Sequence, residues 1–439
     1  MFNMEKTAQL IDFKEILLNQ LSPEVFNFTK AFPSLQERRD KAIRNFTKNG
    51  FPSTGNEEWK YTDLRPVWKH EFSLDLNNTL SKSQLEEIYI PGLTANNIIF
   101  FNGVYVPELS SILDNEGDLK LATLKDADPA VVNEYFGIEP LVDDPLYDLN
   151  LGYFVDGLVI TVPKGKASKF PTVITFVSDA THKNIFAQPR VLIIGEENAQ
   201  GVFIENFHTI GNHHSFTNTA TEVYLKGNAN LSHYKVQKEG LNTFHVGTLQ
   251  VNHLEKSYFN STTITFGGNI VRNNLNISLN REISETHMNG LYFLSDEMHV
   301  DNHTLVSHNV PNCFSNELYK GVLSGKSSGV FNGKILVKKD AQKTNAFQAN
   351  KNILLSKDAL MNTKPQLEIF ADDVKCSHGA TIGQLDEDPL FYLRTRGISE
   401  GKAKALLTLA FAEEVLERIQ IIPLRDFLKN ILVDKFSNI

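Results

Sequence analysis

The chain has 439 residues, 41% of them hydrophobic and 22% charged, which is the composition of a folded protein long enough for two or three structural regions around a large core. With 43 basic against 52 acidic residues the formal net charge is -9, which argues against nucleic acid as a partner, because neutralising phosphates needs a basic footprint. Two cysteines, Cys313 and Cys376, exclude a disulfide framework and are too few thiolates for one chain to hold an iron–sulfur cluster alone.

The first residues, "MFNMEKTAQLIDFKEILLNQ", lack the basic-then-apolar order of a signal peptide, and no stretch approaches the ~18 apolar residues of a membrane span. A cytoplasmic protein without a membrane partner is expected. Residues 1–90 read as an N-terminal helical region. Leu10, Ile11, Leu17, Leu18 and Leu21 recur at helical steps. Ser34 with Glu37 predicts a capping box opening a second helix, with Leu35, Ala42, Ile43 and Phe46 inward and a stop at Asn49-Gly50. Residues 91–156 form a mixed connecting segment, in which "NIIFFNGVYVPELS" predicts a hairpin turning at Asn102-Gly103.

Residues 157–385 are the core, a succession of short runs rich in Val, Ile, Thr, Phe and Tyr, such as "GLVITVP", "RVLIIGE" and "GKILVKK", punctuated by Gly and Asn. So much strand without helix leaves a sandwich, a propeller or a solenoid. "VLIIGEENAQGVF" from Val191 is echoed by "VYLKGNANLSHY" from Val223, and "VKKDAQ" from Val337 by "LSKDAL" from Leu355. Irregular repeats of this size favour a parallel β-helix, with a β-sandwich as the alternative. No phosphate loop, nucleophile elbow or dinucleotide fingerprint appears, so no catalytic residue is assigned.

Most of the histidines fall inside this tract. "HVDNH" puts His299, Asp301 and His303 on one strand face, a weak metal candidate weighed against polar residues that merely satisfy backbone groups. His213-His214 reads as an exposed turn and Cys313 as a half-buried filler. Cys376 and His378 share a strand face at the end of the tract, with Lys375 adjacent to favour a thiolate; packing is the competing explanation.

Residues 386–439 form a C-terminal helical region. Asp388-Pro389 predicts a helix start, Gly397 a left-handed stop and Ser399 a second cap. The helix that follows is expected to present Ala403, Leu406, Leu407, Ala410, Phe411, Val415 and Ile419 on one side, and to cap an open end of the solenoid or offer a groove to a partner.

"NEEWKYTDL", "HVDNHT", "ELYKGVL", "GVFNGKI", "AQKT", "TKPQLEIFADDVKCSHGATIG" and "FYLRTRGIS" together resemble the SufB/SufD family of iron–sulfur cluster assembly proteins over residues 56 to 420, with order and spacing nearer the SufD branch. The resemblance implies a right-handed parallel β-helix between helical regions. It implies a scaffold without enzymatic activity that pairs with SufB through its last coils and docks the ABC-type ATPase SufC through its C-terminal helices, where Tyr392, Arg394, Arg396, Leu406 and Phe411 are the candidate contacts. His378 matches the histidine that completes a ligand set shared with SufB, and Cys376 lies beside it. No cofactor is then expected on the isolated chain, only a transient iron–sulfur cluster in the complex, and an isolated chain could pair with its own copy. A polysaccharide-acting β-helix, a stand-alone histidine-ligated metal enzyme and a purely structural adaptor are the alternatives.

Overall fold

The computed structural model describes residues 29, 31–77, 80–113 and 117–437; the helix expected over Leu10 to Leu21 lies outside them. The strands are β1 (Asn96–Phe101), β2 (Val104–Tyr105), β3 (Lys120–Thr123), β4 (Gly157–Val162), β5 (Thr172–Ala180), β6 (Ile185–Ala187), β7 (Arg190–Gly195), β8 (Gln200–Gly211), β9 (Ser215–Leu225) and β10 (Asn230–Gln237). They continue as β11 (Thr243–His253), β12 (Tyr258–Thr265), β13 (Ile270–Leu279), β14 (Glu285–Leu294), β15 (His299–His308), β16 (Phe314–Leu323), β17 (Ser328–Val337), β18 (Asn345–Leu354), β19 (Leu360–Ile369) and β20 (Lys375–Gly383).

From β8 onward, successive strands alternate between two sheets, and each pairs in parallel with the strand two places away. Asn230, Tyr258, Glu285, Phe314, Asn345 and Lys375 therefore stand in one row, one residue per coil. This is a parallel β-solenoid, and the sandwich alternative is excluded by the pairing. Inside it, Val223, Val251, Ile277, Val306, Ile335 and Leu367 stack coil upon coil. β-Branched residues suit this pleated, closely repeated surface, and each fully buried one contributes about 1.5–3 kcal/mol.

The sequence echoes mark the corners. Asn198 and Asn228 both take positive φ, 58° and 54°, and the Asn228 amide donates to Asn198 Oδ1 at 3.2 Å. Val337 ends a strand of one sheet while Leu355 follows a strand of the other, so that echo spans half a coil rather than a full one. Gly290 and Gly321 face the lumen because aromatic rings occupy the space a side chain would need: a Cβ would come within 2.2 Å of Tyr319 and of Tyr292 respectively.

The two ends differ. At the first, the edge strands are the short antiparallel β2 and β3, of two and four residues, with Asn102 (φ 48°) and Gly103 (φ 87°) forming the expected hairpin turn. The connecting segment thus supplies β1 and β3 to the sheets. At the other end, β19 and β20 each have a strand neighbour on one side only.

Seven α-helices flank the solenoid among the described residues: α1 (Pro33–Asn49), α2 (Lys82–Ile88), α3 (Pro129–Tyr135), α4 (Pro145–Tyr153), α5 (Glu387–Thr395), α6 (Glu400–Leu416) and α7 (Ile422–Ser437). The capping box expected at Ser34 does not form. The helix starts two residues earlier, with Phe32 at the cap and Pro33 the first residue, and the Ser34 amide is met instead by Asn133 Oδ1 of α3 at 3.1 Å. α5 begins before the expected Asp388: Asp386 is the cap and accepts from the Asp388 amide at 3.0 Å, while Pro389 sits in the first turn, where its missing N–H is not needed. Gly397 supplies the left-handed stop, with φ 81°.

The C-terminal helices do not cap the open end. Ala412, Val415, Leu416 and Ile419, with Leu424, Leu428, Leu432 and Phe436 of α7, pack against Tyr234, Val236, Ile264, Phe266, Leu291, Phe293, Leu318 and Val322 on the outer wall of one sheet. Because α6 must meet both that wall and α7, its buried face runs through Ala403, Thr408, Ala412, Val415 and Leu416, leaving Leu406 and Ala410 exposed, contrary to the face expected from periodicity.

Candidate functional site

The last coil carries the Cys-x-His pair. β20 pairs with β18 in a register that sets Cys376 beside Ala346 and His378 beside Gln348. Cys376 packs against a small cluster containing Ile335, Val337, Ala341, Ala346 and Ala371, so its face of the strand is the lumenal one. By alternation His378 shares that face, exposed at the mouth of the lumen, and Ser377 and Lys375 point the other way. The thiolate expected from Lys375 is not favoured: burial pushes the Cys376 thiol above its ordinary value, and the lysine is on the opposite face. Below His378, the Gln348 amide nitrogen donates to Glu317 Oε2 at 2.7 Å, and burial raises the Glu317 carboxyl to about 7. Around this end Leu360, Ile369, Phe370 and Ile382 are exposed, Phe370 at 63%. Cys313 is not half-buried but a full core residue, its thiol donating to the carbonyl of Arg281.

His299, Asp301 and His303 face outward from β15, where they anchor the segment that contains "NEEWKYTDL". Asp301, 1% exposed across its side chain, accepts from Arg272 at 2.8 Å and from the Thr62 hydroxyl. His303 Nε2 lies 3.0 Å from Asp301 and its Nδ1 3.4 Å from Glu58. Arg272 also donates to the Glu58 carbonyl at 2.6 Å and covers the Trp59 ring at 3.9 Å. His299 bridges Thr62 at 2.9 Å and Ser328 at 2.7 Å. Burial lowers the His299 pKa, keeping the ring neutral. Burial would raise the Asp301 carboxyl, but His303 and Arg272 outweigh it and hold the group far below the usual carboxylate range. Among the described residues no three His, Cys, Asp or Glu side chains converge as a metal site requires.

On the C-terminal helices, Tyr392 is exposed and receives Arg396, whose guanidinium lies 5.3 Å from the ring. Arg394 is 3.6 Å from Glu400. Leu406 lines an apolar groove of about 380 Å³ between α6 and α7, together with Ile398, Leu409 and Val433. Phe411 is turned away from that groove: Lys320 of β16 covers its ring at 4.3 Å and donates to its carbonyl at 2.8 Å. No described helix is long and apolar enough to cross a membrane.

The described residues form a parallel β-solenoid flanked by helices, with Cys-x-His in its last coil. The chain belongs to the SufBD family of iron–sulfur cluster assembly proteins: residues 176–411 match the model described as SUF system FeS cluster assembly, SufBD core domain, and residues 22–173 that of the SufBD protein N-terminal region. It is 32% identical to an iron–sulfur cluster assembly SufBD family protein of Synechocystis, over 86% of both chains. It is 30% identical to the iron–sulfur cluster assembly protein SufD of Escherichia coli, over 89% of this chain and 90% of that one. A chloroplastic protein of Arabidopsis thaliana, ABCI7, is 28% identical over 95% of this chain. The resemblance to SufD read from the motifs is borne out.

Proposed function

We propose that this protein is a non-catalytic scaffold subunit that pairs with SufB through its bare last coil and docks the SufC ATPase on its C-terminal helices, so that a nascent iron–sulfur cluster forms at the SufB interface with His378 as one ligand. One observation carries this reading. The end of the solenoid with the long edge strands, β19 and β20, is also the end where an imidazole stands exposed beside large apolar side chains. Unpaired edges seek another strand, and an exposed imidazole suits iron. His378 ranks above Cys376, whose thiol is held protonated by burial. The groove beside Leu406 suits an apolar partner surface and supports the SufC assignment. The site of action is the cytoplasm.

The test is co-expression with the cognate SufB and SufC and purification through this chain. A ternary complex should be recovered. His378→Ala should leave that complex intact and sharply reduce cluster formation, Cys376→Ala should reduce it less, and Cys313→Ala should leave cluster formation unchanged. Normal cluster formation in the His378→Ala complex would sink the ligand assignment. Stoichiometric iron or zinc on the isolated protein would instead support a stand-alone metal enzyme.

A further inference from the structure

We infer that Gln348 and Glu317 are positioning residues for His378, fixing which ring nitrogen carries the proton and therefore which one is offered at the mouth of the solenoid. The inference rests on the reading of His378 as a ligand. Glu317, Gln348 and His378 form one lumenal row, adjacent across β16, β18 and β20. Parallel neighbours lie about 4.8 Å apart, so side chains on the same face of a row stack directly.

The lower part of the row is locked. Gln348 is 3% exposed, and its amide nitrogen is committed to Glu317 Oε2 at 2.7 Å. Glu317 is equally buried, and the Gln348 amide is the partner of its Oε2. Across the lumen Gly333 leaves the amide its space, since a Cβ there would come within 2.2 Å of Gln348 Nε2. With the nitrogen spent on Glu317, the amide oxygen is left over, buried and without a partner. A buried carbonyl in that condition is unfavourable, and the next side chain in the row is His378.

An amide oxygen can only accept. No hydrogen bond from a described residue reaches it as the side chains stand, so an imidazole turned down onto it has to present an N–H to Gln348, which leaves the lone pair of its other nitrogen directed away from the locked part of the row. That is the form a metal ligand needs, with the second nitrogen's hydrogen bond setting the tautomer. Glu317 acts one step further back: without it the Gln348 amide could flip and offer NH₂ to the ring, reversing the preference.

Ring-nitrogen NMR of the full chain labelled with ¹⁵N-histidine, with His378→Asn to assign the signal, tests this directly. His378 should show one dominant tautomer in the wild type and in Glu317→Gln, which still supplies an acceptor. In Gln348→Met and Glu317→Leu it should relax to the mixture of a free imidazole. In the complex with SufB and SufC, Gln348→Met should slow cluster formation several-fold, and should add nothing once His378→Ala is present. A wild-type tautomer ratio equal to that of a correctly folded Gln348→Met protein overturns the inference, whatever cluster formation does. An inert His378→Ala would count against the ligand reading alone, because the tautomer comparison needs no cluster.

Discussion

Replacing Asp301 by Asn should detach the segment that carries Trp59. Arg272 and Asp301 are both almost wholly buried, 3% and 1% exposed, with N and O 2.8 Å apart. The substitution keeps the shape and one acceptor oxygen but removes the charge, leaving a buried guanidinium with neutral partners alone among its close contacts: the new amide oxygen, the Glu58 carbonyl, Asn274 Oδ1 and the Trp59 ring. Breaking one side of such a pair costs about 3–5 kcal/mol. The double variant Asp301→Asn with Arg272→Met removes the orphan charge and should recover a large part of that loss, giving a coupling of about 2 kcal/mol or more in the cycle. The chain's two tryptophans, Trp59 and Trp68, both lie in the N-terminal segment, so fluorescence during urea unfolding reports its docking while far-UV circular dichroism reports the solenoid. The fluorescence midpoint of Asp301→Asn should fall to lower urea than the dichroism midpoint. A loss under about 1 kcal/mol would refute the reasoning, since a pair so buried cannot be that weak unless Arg272 finds another anion. A chelator that shifts the wild-type midpoint would instead return His299, Asp301 and His303 to the metal candidates.

His308 is buried and its pKa is lowered to about 3, so the native imidazole stays neutral while the unfolded one protonates near 6.5. Wild-type stability from this group is complete above pH 6.5 and falls as pH drops toward 3, so the stability gap to His308→Gln should narrow by up to about 1.4 kcal/mol per pH unit in urea unfolding at pH 6.5, 5.5 and 4.5. Leu428→Ala, in the seam between α7 and the solenoid wall, should cost about 2–5 kcal/mol in the same assay. Leu406→Asp, on the exposed groove, should stay within about 0.5 kcal/mol of wild type yet abolish SufC co-purification. Gly321→Ala should lower the unfolding midpoint by about 1–3 kcal/mol or more, since its methyl would meet the Tyr292 ring.

What could be read from the sequence was what short-range chemistry decides. Asn102-Gly103 dictates its own turn, Asn198 and Asn228 mark corners through their backbone angles, and the Val and Ile runs make strands wherever they fall. Which strand lies beside which is not local, so the half-coil echo at Val337 and Leu355 looked like a full repeat. The cap of α1 failed for the same reason: Asn133, far along the chain, gives the Ser34 amide the acceptor that the Glu37 side chain was expected to provide. Helical periodicity showed that α6 is amphipathic but could not tell which of two surfaces each apolar side would meet, hence the misplaced Leu406 and Ala410. The Cys376 and His378 pair was visible as a motif. The Glu317 and Gln348 row beneath it was not, because only coil register brings those positions together.

The unequal edge strands at the two ends have a consequence for assembly. A rod with adhesive strands at both termini adds units without limit and becomes a fibre. Here the edges at one terminus, β2 and β3, are only two and four residues long, whereas β19 and β20 offer ten and nine residues of ladder, so an added strand gains far more beyond β19 and β20. If two such solenoids joined by their long edges, the rod would be left with only the short edges at its tips. Edge length would then favour a pair over a fibre, and the groups carried by the last coil, His378 among them, would fall at the midpoint of that pair.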